Sequence, residues 1–234
     1  CLEAAARKVR EAAPEPPLQE LREHVRTALG DLARLGFVEV HDLLTPPWLP
    51  DVLAGLHDAG DLPVRVGMFP LVEHVAGVAA GRQAWGRPGL SLLGGKVFVD
   101  GTLNARTAWV LTPNADGLAE HPCGTALMTV GQIAEAMGRC AAVGVGLAAH
   151  AIGDGAVRAC LDAAEGFLKE SQKPVASGAI RVEHAELVDG ADVARFARLG
   201  VVASVQPCHL LTDIEALTRS LPDRLDRVLP LRSQ

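Results

Sequence analysis

The stretch GVGLAAHAIGD, residues 144–154, decides the fold. Its apolar half is short and small-residued, the reading of a buried parallel strand, and it ends on His150 before a Gly-Asp step into a helix-like run. A strand's C-terminal end is where open α/β sheets and β/α barrels present side chains to a ligand. The same design recurs at GAIRVEHAEL (178–187), ending on His184, and at LSLLGGKVFVDG (90–101), which carries Lys96. His150 to His184 is 34 positions, one βα unit of roughly 30 residues; Lys96 to His150 is 54, one unit plus a long loop.

Working outward, residues 18–35 place Leu18, Leu21, Val25, Leu29 and Leu32 on one helical stripe, stopped by Gly36. GFVEVHD (36–42) reads as a strand, TPPW as a turn, 49–59 as helix, PVRVGMF (63–69) as a second strand and 71–84 as helix. Residues 90–99 are the third strand. Residues 101–125 lack periodicity, and a loop of that length is usually functional or a lid. Helix 129–142, strand 144–150, helix 154–170, strand 179–184, helix 189–198, strand 200–206 and a helix from about 212 complete the reading. Strand–helix alternation predicts a parallel sheet. Six strands are countable, two fewer than a closed barrel requires, and 234 residues suit either one β/α barrel or one doubly wound domain.

Composition narrows the function. The chain is 49% apolar and 21% charged, with net charge −6, no Tyr and 3% aromatic residues. It has neither a basic stripe nor base-stacking platforms, so no nucleic acid partner is expected. No run approaches the ~20 apolar residues that span a bilayer, so no membrane partner is expected either. Five scattered cysteines (Cys1, Cys123, Cys140, Cys160, Cys208) without a C-x-x-C pair fit reduced thiols and a cytoplasmic location. The chain begins at Cys1, mid-pattern in a helical stretch and without Met, which reads as a fragment.

Lys96, His150 and His184 on successive strand ends suggest a metal site. A lysine ammonium is a poor ligand, but carboxylated by carbon dioxide it becomes a carbamate that can bridge two cations. Each residue also has a plain reading: a strand-end histidine is often a hydrogen-bonded structural group, and a lone lysine is often solvated or ion-paired. His41 and Asp42 could line the same mouth or cap the following turn. Asp154 could act at the site or as a helix N-cap. Glu183, one residue before His184, should face the helical layer. Gln206, His209 and Asp213 could reach substrate or close a loop, and Arg106 could clamp an anion or be solvated.

These segments resemble the third family of the amidohydrolase superfamily, which includes N-substituted formamide deformylase. KVFVDGTLNARTA (96–108) is similar to its "KIFADGALGSRTA"; His150–Asp154 stands for "HAIGD", RVEHAE (181–186) for "RIEHAQ", and QPCHLLTD (206–213) for "QPTH…SD". GFVEVHD is similar to its "GITSVHD". The resemblance implies an α/β fold, a single metal-dependent (β/α)8 TIM-barrel domain over 1–234 that is here incomplete, in which Lys96 is the carboxylated bridging lysine and His150 and His184 are ligands of one or two divalent ions, zinc foremost. It implies hydrolysis of a non-peptide C–N bond in a small amide, N-formyl compound or cyclic amide. The family's H-x-H pair is absent here, and its general-base Asp is expected beyond DRVLPLRSQ (226–234). The isolated chain is therefore expected to turn over little and to self-associate, possible homo-oligomer formation following from open strand edges. The alternative is a noncatalytic barrel remnant with self-association or weak metal binding only.

Overall fold

The computed structural model describes residues 12, 16–171 and 178–230. The helical pattern at the very start of the chain lies outside the described residues. Two compact units emerge, Cys1–Met68 with Gly77–Leu92, and Phe69–Ala76 with Leu93–Gln234.

In the first unit, α1 (Leu18–Arg34) and α2 (Leu49–Asp58) pack together, and a parallel sheet runs β1 (Glu39–Asp42), β2 (Arg65–Met68), β3 (Leu90–Leu92). The expected helix over 71–84 is two short ones, α3 (Val75–Ala80) and α4 (Arg82–Trp85). Leu53, Leu56, Val66, Met68 and Trp85 are buried, with the Trp85 indole N–H donating to the Val78 carbonyl at 2.9 Å. That bond satisfies the one polar atom the indole takes into the core.

The second unit carries the parallel sheet β4 (Gly94–Phe98), β5 (Gly146–Ala151), β6 (Ile180–His184), β7 (Val202–Ser204), in that order. The run 90–99 is thus two strands in two different sheets, parted at Leu93, and the described residues hold seven strands where six were expected. A continuous apolar run hides such a break because periodicity does not register a change of sheet. Beyond β4, residues 70–72 pair alongside it: the Lys96 amide donates to the Pro70 carbonyl at 2.7 Å and Val72 donates to the Lys96 carbonyl at 3.0 Å. The outer edge of the lysine strand is covered.

Helix α5 (Val130–Ala142) packs on β4 and β5, α6 (Asp154–Glu170) on β5 and β6, and α7 (Gly190–Leu199) on β7. Their ends follow local chemistry. Thr129 and Gln132 form a reciprocal capping box on α5, Asp189 caps α7 through the Ala191 amide, and Gly200 closes α7 in the left-handed region at φ 65°. Helix α8 (His209–Ser220) follows β7. No described helix is long and apolar enough to cross a membrane. Cys123, Cys140, Cys160 and Cys208 form no disulfide.

The segment from Gly101 to Met128 contains no helix or named strand, as expected, but it is pinned rather than loose. Asp100, only 1% exposed, accepts from the amides of Trp109 (2.9 Å), Ile152 (3.0 Å) and Gly153 (2.9 Å). Arg224 donates to the Thr112 and Pro113 carbonyls, both at 2.7 Å. Leu103 and Ala108 join Ile152, Leu187, Leu217 and Leu221 in one apolar cluster.

Two stability predictions follow from this packing. Replacing Asp100 with Ala orphans three amides, two of them buried, so unfolding free energy should fall by about 2–4 kcal/mol in urea titration. At Gly146 a Cβ would overlap the Ala179 carbonyl oxygen, so Gly146→Ala should cost about 2 kcal/mol by the same measurement. Variants that retain wild-type midpoints would contradict both.

Candidate functional site

Register fixes which side chains share a face. Phe98, His150 and Glu183 are aligned across β4, β5 and β6, and Lys96, Ala148 and Arg181 are aligned two residues earlier. Side chains alternate along each strand, so Lys96, Phe98, His150, Arg181 and Glu183 lie on one face. The expectation for Glu183 is therefore corrected. It lies on the face of Lys96 and His150, buried, with Arg181 Nε 2.9 Å from its Oε1. Judging Glu183 against His184 alone misled, because His184 is the residue that leaves the strand pattern.

His184 and Ala185 both have left-handed backbone, at φ 76° and 41°. Such a conformation costs a non-glycine residue on the order of 1–3 kcal/mol. Alternation alone would turn His184 away from His150. Instead the two rings meet edge to face with centroids 4.6 Å apart. His184 also stacks on His209 at 5.5 Å, and Phe98 lies 5.3 Å from His150 on its other side. The Lys96 ammonium sits 5.2 Å from the Phe98 ring centre. Lysine and both histidines thus gather around one row of rings at the C-terminal ends of β4, β5 and β6.

Burial sets the electrostatics. Lys96 is 3% exposed, and that desolvation holds its amine down to about 8, the Glu183 charge opposing and Arg181 assisting. Burial, followed by the neighbouring His150, Lys96 and His209, drives His184 down to about 3 against the opposing Gln206 side chain, so its imidazole is neutral at neutral pH. Asp100 is pushed up to about 7 by burial, against the pull of the Gly153, Ile152 and Trp109 amides.

Hydrogen bonding orients the rings. His150 Nε2 lies 3.0 Å from the Gly101 carbonyl, which can only accept, and 3.6 Å from Asp100 Oδ1. That places the ring proton on Nε2 and the lone pair on Nδ1, an arrangement characteristic of histidines that bind cations. His184 Nδ1 is buried without a hydrogen-bond partner. A neutral imidazole with an unanswered nitrogen beside a second oriented imidazole and a buried amine is a donor set that fits a divalent cation.

Other expected residues divide. His209 and Asp213 do reach this end of the sheet: His209 through its stack on His184, and Asp213 through the Asn104 amide, which donates to it at 2.6 Å. Gln206 donates from Nε2 to the Ser204 carbonyl at 3.0 Å, and its Oε1 is buried without a hydrogen-bond partner. Arg106 is engaged elsewhere, its Nε 2.9 Å from Asp116, which also binds Arg219. Asp154 is the first residue of α6 rather than its cap, which is Gly153. Its buried carboxylate accepts from the Leu111 amide at 2.8 Å and lies 3.5 Å from Arg227, so it ties down the long loop. In the first unit, His41 Nε2 meets Glu39 at 3.1 Å, and the Asp42 carbonyl accepts from Thr45 Oγ1, closing the turn.

Sequence reading passed over Asp100 and Glu186, although both stand inside the quoted segments. Glu186 is 2% exposed, and burial, then the Asp213 charge, raises its carboxyl above the usual range while His209 opposes. The sequence shows only an acid two residues past a strand-end histidine; its burial is a tertiary fact.

Comparison with known proteins bears on the family and the fold. The model of the amidohydrolase family matches residues 2–233. A metal-dependent hydrolase of Pyrococcus furiosus, uncharacterised, superposes with a TM-score of 0.82 at 27% identity, over 97% of this chain and 46% of that one. A second, from Pyrococcus horikoshii OT3, gives 0.79 at 25% identity, over 93% of this chain and 43% of its own. The Arabidopsis thaliana protein LONG AFTER FAR-RED 3 is 32% identical over 137 residues, 56% of this chain and 22% of that protein. The chain spans less than half the length of each of these relatives. The fold is the parallel α/β architecture of metal-dependent hydrolase barrels, represented by part of the strand set. With the family model running through nearly every residue, the chain belongs to the amidohydrolase family.

Proposed function

We propose that the whole protein hydrolyses a non-peptide C–N bond in a small amide, N-formyl compound or cyclic amide, using a divalent metal, zinc foremost. The observation that carries this reading is the meeting of His150 and His184 at 4.6 Å, with His184 Nδ1 buried and unanswered and Lys96 buried on the face of His150. Lys96, His150 and His184 would hold the metal, whose chemistry there is to polarise a carbonyl and to lower the pKa of water toward ~7.

The chain's own groups prepare that task. Gly101 and Asp100 fix the His150 tautomer. The bend at His184 aims its ring across the strand ends, and burial keeps that ring neutral. Desolvation weakens the hold of Lys96 on its third proton, leaving a nucleophilic amine able to take up carbon dioxide as a carbamate. Gln206 would meet a substrate's polar group through its Oε1. A cytoplasmic setting suits the free cysteines.

Two measurements test the reading. Exposed to 13C-labelled bicarbonate, the wild-type protein should show a carbamate carbon resonance that Lys96→Ala lacks; identical spectra would remove the carbamate. In the whole protein, His150→Ala should lower metal content and reduce amide turnover on the order of 100-fold or more. Retained turnover would remove His150 from the site.

A further inference from the structure

Beyond the lysine–histidine set, Glu186, His209 and Asp213 each bring one ligand-type atom within 4.8 Å of the others. They come from separate places: Glu186 follows the left-handed bend after β6, while His209 and Asp213 stand one turn apart on α8. Glu186 is the telling member. It is 2% exposed, its Oε1 has no hydrogen-bond partner, and its Oε2 lies 3.8 Å from His209 Nδ1, too far for a hydrogen bond.

A carboxylate taken out of water without donors is costly, and native structures rarely leave one so. No lysine or arginine ion pair answers Glu186 among the described residues; its neighbours are an imidazole and a second carboxylate. Two acids brought together on one histidine repel unless a positive charge lies between them. Asp213 is meanwhile oriented from the long loop, its Oδ1 taking a 2.6 Å bond from the Asn104 amide. Support of this kind for a carboxylate is what ligand oxygens commonly receive.

We propose that Glu186, His209 and Asp213 form a second divalent-cation site, one imidazole nitrogen and two carboxylate oxygens suited to a first-row ion of the zinc class. The histidine favours such an ion over magnesium or calcium, which prefer oxygen alone. The site goes beyond the hydrolase reading and does not depend on it. Because Asn104 belongs to the 101–128 segment, filling the site would also brace that segment.

The test is equilibrium dialysis of the whole protein against Zn2+, with bound metal counted by mass spectrometry. In a Lys96→Ala/His150→Ala double variant one zinc should remain. Adding Glu186→Gln or His209→Asn should then weaken that remaining zinc on the order of 100-fold or more, and erase the rise in Tm that zinc produces. A folded double variant that binds no zinc would overturn the proposal. So would zinc affinity unchanged by both added substitutions. His209 is a third exposed, so His209→Asn carries the decision if Glu186→Gln fails to fold. If the double variant itself does not fold, the two single substitutions in the wild-type background decide: each should remove one bound equivalent, and an unchanged count overturns the site. Zinc binding unaffected by Lys96→Ala and His150→Ala would count against the hydrolase reading while leaving this site standing.

Discussion

The carboxylate of Asp100 sits at the junction on which the site's geometry depends. It collects the amides of Trp109, Ile152 and Gly153, and its Oδ1 lies 3.6 Å from the His150 ring. The end of β5, the start of α6 and the long loop after β4 are therefore referred to one pair of oxygen atoms. Burial raises the energy of the charged form, and three backbone dipoles converge to offset it. Such an arrangement tolerates little drift, because moving any one donor leaves the acid and that amide short of a partner. The precision with which His150 is presented rests on this junction.

The second constraint is backbone strain. Two consecutive non-glycine residues, His184 and Ala185, occupy the left-handed region. The ladder supports them: Ala185 donates to the Ala151 carbonyl at 3.0 Å and Leu187 to the Ile152 carbonyl at 2.9 Å, so pairing with the neighbouring strand continues through the bend. The strain is local, and its result is the contact between two imidazoles that a regular strand would have pointed to opposite faces. Strained backbone at a point of chemical interest is the pattern expected when geometry outranks local preference.

Much of this was legible in the sequence. Apolar runs ending on His150 and His184 gave strands whose ends were right within two residues, and 154–170 was read as the helix that forms. The long loop was visible from its lack of periodicity. What could not be read was what depends on three dimensions. The break at Leu93 leaves no mark in an apolar run. Alternation assigned Glu183 to the wrong face because it assumes that His184 continues the strand. Asp154 looked like a cap, since nothing in its neighbourhood betrays a partner 43 positions earlier at Leu111. Glu186 and Asp100 escaped because an isolated acid in an apolar context is ambiguous until its neighbours are known. His209 and Asp213 were flagged by the QPCHLLTD segment, but their convergence with Glu186 is a matter of tertiary packing.

The uneven anchoring of residues 101–128 divides that loop by evolutionary latitude. Its two stems are committed: Leu103, Ala108, Trp109 and Leu111 are held by the core, by Asp100 and by Asp154, and Leu127 donates to the Val99 carbonyl. At the apex, Leu118 to Pro122 is exposed and closed on itself by the Leu118–His121 bridge. Insertions and deletions can accumulate at that apex without disturbing the histidines. A longer hairpin-like tip would leave the anchored stems, and with them the setting of Asp100 and His150, as they are.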